Sequence, residues 1–225
     1  MGSEMCIRDR VVAGAKSKLS ALRNCILPYS KDNHILIYCG ATSYKENDEA
    51  NDSIRQIDVV ADMLGNQLDM RVGRFTSMES SDERQQIRKT FAEGRQLQAL
   101  VAIKCLDEGV NIPSIKTAFI LASSTNPKEY IQRRGRVLRK FPGKEYAEIY
   151  DFITLPFTME SFLSQRSDVV ASTKGLIVRE LRRMMDFASI ADNPSETSEL
   201  IYKLKHAFNI TEQDLQNMEV EEDAI

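Results

Sequence analysis

Short apolar runs alternate with stretches of helical periodicity between residues 35 and 153. The runs are rich in residues that favour strands. They lie at Ile35–Cys39, Ala99–Ile103, Thr117–Ala122 and Ala147–Ile153, with a further short candidate at Arg71–Thr76. Helical spacing is found over Asn51–Leu68, Ser81–Ala92 and Asn126–Lys140. Continuous apolar strands separated by amphipathic helices predict an α/β fold, in which helices cover both faces of a parallel sheet.

The two ends of the chain differ from this central region. Residues 11–27 have loosely helical spacing, which Pro28 should end. Between Phe157 and Phe208 the periodicity is helical only, and Asn193-Pro194 begins a helix there. We therefore predict a tail and helix over 1–31, an α/β domain over 32–155 and a helical extension with an acidic tail over 156–225. Residues 1–10 lack the order of a signal peptide. They are either natural or an artefact of gene prediction, and do not enter the fold prediction.

Composition narrows the class of protein. The 225 residues include 30 Lys+Arg and 33 Asp+Glu, 42% are hydrophobic, and the net charge is −3. These values exclude a disordered or collagen-like chain. The sequence has no apolar run of about 18 residues, so no membrane span is predicted. The four widely spaced cysteines are typical of the reduced thiols of an intracellular protein, so a cytoplasmic location is expected. Because the four cysteines form no CxxC pair and there are two histidines, neither a disulfide framework nor a metal site is predicted.

The segment with the strongest chemical signal is Gln132–Arg139, with the sequence QRRGRVLR. On a helix over Asn126–Lys140, Gln132, Arg136 and Arg139 stand at i, i+4 and i+7 and would share one face. Residues 127–144 contain seven Lys/Arg and one Glu, the densest positive patch in the chain. Guanidinium groups suit the oxygens of a transferring phosphoryl group. A solvated basic face or a general nucleic-acid patch is the alternative interpretation.

Two further segments carry weaker signals. Leu106–Pro113 follows an apolar strand and contains a glycine, and ligands of α/β sheets bind at such carboxyl-terminal turns. Alone, it could be only a turn ended by proline. Thr76 precedes a helix that contains Arg84, Phe91 and Gly94, where Phe91 could simply belong to the core.

In their order and spacing, these segments resemble the C-terminal RecA-like domain of superfamily 2 helicases and translocases, over about residues 33–153. Four stretches carry the resemblance: Ile35–Thr42 for the opening strand and turn, Thr76 to Gly94 for the helix before the fifth motif, Ala102–Pro113 for the fifth motif, and Gln132–Arg139 for the sixth, the arginine-finger motif. The sequence departs from the family at Asn111, where many members have Asp, and at Lys104, which is often Asp or Asn.

The resemblance implies a role for nine residues. Arg136 and Arg139 would reach the γ-phosphate of ATP, and Gln132 would help to position it. Glu108, Gly109 and Asn111 would lie at the nucleotide cleft. Thr42, Thr76 and Arg133 would contact the nucleic-acid backbone.

The phosphate-binding half of a motor has no counterpart in this sequence. There is no GxxxxGK[ST] loop, and no strand ends in an acidic box for Mg²⁺. We therefore expect ATP and Mg²⁺ to be bound mainly by a separate N-terminal RecA-like helicase domain. The chain would be a fragment or a split-gene product, inactive by itself. The form of the fifth and sixth motifs favours DNA over RNA. The alternative is a non-catalytic module of the same fold that binds nucleic acid or another protein.

Overall fold

The computed structural model describes residues 17–40, 43–45, 53–76, 78–103, 112–122, 127–156, 161, 165 and 167–216. The chain divides into two compact units, one spanning Ala15–Phe152 and the other containing Ile153–Ile225. Within the described ranges, no helix is both long enough and apolar enough to cross a membrane.

The first unit is built on a parallel sheet. Its strands are β1 (Ile35–Cys39), β2 (Ser43–Lys45), β3 (Ser53–Arg55), β4 (Val72–Phe75), β5 (Ala99–Ile103), β6 (Thr117–Ile120) and β7 (Glu148–Asp151). Five of them form one sheet in the order β4-β5-β1-β6-β7, and every neighbouring pair is parallel. The predicted parallel sheet is therefore confirmed, and the carboxyl ends of its strands lie along one edge. β2 and β3 form a separate antiparallel pair.

The described residues of this unit form four α-helices: α1 (residues 17–26), α2 (Gln56–Asp62), α3 (Ser81–Glu93) and α4 (Pro127–Val137). α1 gives way to a short 3₁₀ helix, Leu27–Tyr29, that has Pro28 in its first turn. α2 continues into a π-helical turn, Met63–Gln67. The predicted helix over Asn51–Leu68 is wrong in its first part. Residues 53–55 pair with β2, and Gln56 accepts a hydrogen bond from the Gly40 amide at 2.7 Å.

The core explains why the central strands read as continuous apolar runs. All five residues of β1 are buried, as expected for a strand covered on both faces. Alternate residues of β1, β5 and β6 pack with the inward side chains of α1 and α2 on one of these faces. The buried members of this cluster are Leu22, Ile26, Ile35, Ile37, Cys39, Ile57, Val60, Met63, Leu64, Met70, Ala99, Val101, Phe119 and Leu121.

The second unit is helical, as predicted. It contains α5 (Ser167–Ala188), α6 (Pro194–Ala207) and a last short helix, α7 (residues 212–216). α6 begins at the predicted Asn193-Pro194 step, although the Asn193 side chain makes no capping bond. The apolar stripes of α5 and α6 pack together around Leu181, Leu204 and Phe208.

One charged pair is buried in this helical unit. Arg183 donates to Glu180 at 2.6 Å, and the two side chains are only 2% and 12% exposed. The same Glu180 carboxylate accepts from the Thr154 amide at 3.3 Å. The pair therefore ties the segment before α5 to that helix.

Candidate functional site

The predicted phosphate-binding residues lie on the second half of α4 and in the turn after it. Tyr130 and Val137 are buried, at 6% and 1% exposure, and anchor this helix. Gln132 is exposed and Arg136 is half-buried. Because they are four residues apart within α4, Gln132 and Arg136 lie on the same side of the helix, as predicted. Arg133 is also in α4, but its side chain lies outside the described residues.

Arg139 does not lie on that helix. α4 ends at Val137, so the predicted helix over Asn126–Lys140 is too long and the i+7 placement of Arg139 is wrong. The Leu138 amide donates to the Arg134 carbonyl at 3.0 Å, as in an α-helix. The Arg139 amide instead donates to the Arg136 carbonyl, three residues earlier, at 3.5 Å. Arg139 is therefore an exposed residue of the turn that follows the helix.

A lysine explains where the helix ends. The Lys144 ammonium donates to the carbonyl oxygens of Val137 and, at 2.9 Å, of Arg139. The last carbonyls of a helix have no partner inside it, and a cation there also offsets the helix dipole. Partial burial lowers the pKa of Lys144 below its ordinary value. Sequence reasoning missed this residue, because a lysine in a loop gives no local sign of which carbonyls it will bond.

Thr76 occupies a different part of the first unit. It follows β4 at the carboxyl edge of the sheet, whereas α4 is the helix that follows β6 in the chain. Two strands lie between β4 and β6, so these two strands are roughly 14 Å apart. Lys144, in contrast, lines a cavity with His34, Thr117 and Glu148, at the amino ends of β1, β6 and β7. The structure therefore separates Thr76 from the arginine-bearing end of α4.

The donors of Thr76 already engage an internal anion. The Thr76 amide and hydroxyl donate to the Glu79 carboxylate at 2.6 and 2.8 Å. Ser80 and Glu83 then form a capping box that starts α3. Hydrogen bonds from the Ser80 amide and hydroxyl lower the pKa of Glu83. A phosphate at Thr76 would have to displace the Glu79 carboxylate.

Phe91 and Gly94, which follow Thr76 in this segment, have structural roles. Phe91 is fully buried, so its interpretation as a core residue is correct, and its ring meets His34 edge-on at 5.7 Å. Gly94 ends α3 in a left-handed conformation at φ 69°. A Cβ at Gly94 would lie 3.2 Å from the His34 ring, so both the backbone angle and the space favour glycine.

Four predicted site residues, Thr42, Glu108, Gly109 and Asn111, lie outside the described residues. Among the residues that are described, no three His, Cys, Asp or Glu side chains are grouped as ligands for a metal ion.

Comparison with known proteins decides the family. Residues 17–141, more than half of the chain, match the family described as "Helicase conserved C-terminal domain". The chain belongs to this family. The match covers the five-stranded sheet up to β6 together with α4, and confirms the resemblance to the C-terminal RecA-like domain of superfamily 2 helicases and translocases.

Individual proteins match parts of this chain. The DNA 3'-5' translocase XPB2 of Sulfurisphaera tokodaii is 34% identical over 65 residues, which is 29% of this chain and 15% of that relative. The C-terminal part of the Fun30 ATPase domain is 18% identical with a TM-score of 0.47, over 61% of this chain and 41% of that one. The E. coli DEAD-box protein SrmB is 17% identical with a TM-score of 0.45, over 61% and 71%.

Proposed function

We propose that this chain is the second motor domain of an ATP-dependent DNA helicase or translocase. It would supply Arg136 and Arg139 to ATP bound mainly by an N-terminal RecA-like domain. The observation that carries the proposal is the basic end of α4, which lies inside the region that matches the helicase family and is held by Lys144. The sequence has no phosphate-binding loop of its own, so the partner domain is required for hydrolysis.

The residues at the end of α4 suit the phosphates of ATP. A guanidinium group is always charged and offers several N–H donors in a fixed plane. Arg136 is half-buried and Arg139 is exposed, so each can present this plane at the surface of the domain. Mg²⁺ would neutralise phosphate charge from the partner domain, while the two arginines would stabilise the charge that develops on the transferring group.

Replacement of the arginines tests this proposal. In the chain combined with its N-terminal domain, Arg139→Ala or Arg136→Ala should lower single-turnover ATP hydrolysis by about 10³- to 10⁵-fold. Nucleotide affinity should change little, because most contacts to ATP come from the other domain. Arg139→Lys should also hydrolyse poorly, since an ammonium cannot reproduce the planar donor geometry.

The control is Arg95→Ala, which removes an exposed arginine outside the basic segment. Near-normal hydrolysis by both Arg136→Ala and Arg139→Ala would disprove the arginine-finger role. It would favour the alternative of a non-catalytic binding module with the same fold.

DNA is the proposed nucleic acid because of the form of the motifs and because the XPB2 relative is described as a DNA translocase. The net charge of −3 means that phosphate contacts must be local, so binding should be weak and strongly salt-dependent. Titrations of single-stranded DNA and RNA of equal length, at several salt concentrations, test both points. Equal or tighter binding of RNA would contradict the preference.

Glu79 gives a sharper test of the contact at Thr76. Glu79→Gln removes the charge that competes with phosphate, and should raise DNA affinity by about 2- to 5-fold, a value typical of one exposed charge interaction. Thr76→Val should lower it. The matched control is Glu93→Gln, at the opposite end of α3, which should do neither. If Glu79→Gln weakens binding, the carboxylate positions Thr76 instead of competing for it.

A further inference from the structure

Lys144 closes the end of the helix that carries the arginines. Its ammonium donates to the Val137 carbonyl, which belongs to the last residue of α4, and to the Arg139 carbonyl at 2.9 Å. These two acceptors flank the stretch in which the chain leaves the helix. The Leu138 amide still bonds to the Arg134 carbonyl at 3.0 Å, but the next bond, from the Arg139 amide to the Arg136 carbonyl, is long, at 3.5 Å.

A tight turn brings Lys144 back to these carbonyls. The Lys144 amide donates to the Phe141 carbonyl at 3.0 Å, which closes a four-residue turn with Pro142 and Gly143 at its centre. Gly143 has φ 75°, and proline followed by a left-handed glycine is typical of a type II turn. The turn therefore places the backbone of Lys144 close enough for its side chain to reach these carbonyls.

The contact is partly removed from water. Lys144 is half-buried, whereas the neighbouring Lys140 is exposed. A lysine ordinarily keeps its ammonium in water, and withdrawal from water is costly unless hydrogen bonds replace the lost hydration. Bonds from a charged donor are about twice as strong as neutral ones. The two bonds from Lys144, to the Val137 and Arg139 carbonyls, therefore hold the end of α4 and the turn after it together.

We propose that Lys144 is a positioning residue, which holds the backbone of Arg139 and the end of α4 so that both arginines reach the phosphate of ATP. The inference rests on the proposed function, in which Arg136 and Arg139 make that contact. An error of about 1 Å in the position of a catalytic group can cost about 10² in rate. The tether therefore acts on the rate of hydrolysis more than on nucleotide binding.

The first test uses steady-state hydrolysis by the chain combined with its N-terminal domain. Lys144→Met keeps much of the side-chain volume and removes the donors, and should lower kcat by about 10- to 100-fold with KM for ATP changed less than about three-fold. Lys144→Arg retains a cationic donor and should recover part of the loss. The control is Lys116→Met, because Lys116 is an exposed lysine that lines the same cavity. A kcat for Lys144→Met within two-fold of that control would overturn the proposal.

The second test uses the 225-residue chain alone and does not depend on ATP. Hydrogen exchange at the Leu138 and Arg139 amides should accelerate at least ten-fold in Lys144→Met, while exchange in β1 and β5 stays unchanged. Gly143→Ala provides a second variant, because a Cβ there meets no atom within 4 Å and the change acts through the backbone angle alone. It should shift exchange and kcat in the same direction. Unchanged exchange at both amides in both variants would also overturn the proposal.

The two proposals fail in different ways. If Arg139→Ala and Arg136→Ala leave hydrolysis intact, the proposed function fails and the effect of Lys144 on kcat fails with it. If those variants are inactive but Lys144→Met is normal, the arginine role stands and the positioning role of Lys144 is refuted.

Discussion

Gln98 offers the most direct test of how the first unit is held together. Its side chain is 4% exposed and makes three hydrogen bonds to the backbone. The amide nitrogen donates to the carbonyls of Ser30 and Asp32, each at 3.1 Å, and the amide oxygen accepts from the Arg71 amide at 3.0 Å. Gln98 thus joins the segment before β1 to the segment before β4, next to the start of β5.

The perturbation is Gln98→Met, which keeps the length of the side chain and removes its polar atoms. A buried donor left without its acceptor costs about 1–3 kcal/mol, and this applies to the Arg71 amide. The Ser30 and Asp32 carbonyls are nearer the surface, where water replaces part of each bond, so both together add about 1 kcal/mol. Burial of the more apolar methionine side chain stabilises the variant by about 1 kcal/mol. The unit should lose about 1–3 kcal/mol of unfolding free energy.

Native-state hydrogen exchange at Val101 and Phe119 measures this loss, because both residues are buried in the central strands of this unit. Their protection should fall about 5- to 150-fold, since each 1.4 kcal/mol is a factor of about ten. The control is Gln96→Met at an exposed position two residues earlier, which should change stability by less than about 0.5 kcal/mol. Gln98→Glu should be worse at pH 7 than at pH 4, because a carboxylate cannot donate to either carbonyl. Equal protection in Gln98→Met and Gln96→Met would refute the reasoning.

Three further predictions concern the helical unit. Arg183→Met leaves the buried Glu180 carboxylate without its cation and should cost about 3 kcal/mol in urea unfolding, whereas Glu180→Leu combined with Arg183→Met should cost less; a larger loss in the double variant would contradict this. Hydrogen bonds from Lys174 and then Thr211 lower the pKa of Asp214 to about 2. The stability that these bonds supply is present above pH 4 and is lost as pH falls from about 4 to about 2. At a fixed urea concentration, Asp214→Asn should therefore reduce the change in helicity between about pH 4 and pH 2, and an unchanged acid profile would argue against the assignment. A Cβ at Gly175, within α5, meets no atom within 4 Å, so Gly175→Ala should stabilise the unit by about 0.5–1 kcal/mol, and a lower urea midpoint would show a contact that the fold does not suggest.

The central strands could be predicted because their pattern is itself the consequence of burial. Ile35–Cys39 and Ala99–Ile103 were predicted from continuous apolar runs, and the structure has strands with the same bounds. A strand covered on both faces needs apolar residues at every position, so few other structures fit such a run. The antiparallel strands Ser43–Lys45 and Ser53–Arg55 carry no such pattern, and the second was read as helix.

The sequence by itself determined the fold class and indicated the family, because these depend on residue type and on spacing along the chain, and it is the basis of the role proposed for the arginines. It did not determine where α4 ends, since Leu138, Arg139 and Lys140 have ordinary helical propensity and the Lys144 ammonium bonds to the Val137 carbonyl. Nor did it show that Glu79 occupies the donors of Thr76. In both cases a hydrogen-bonding group could pair with several partners, and folding decides which partner lies within hydrogen-bonding distance. Those distances are a property of the tertiary structure alone.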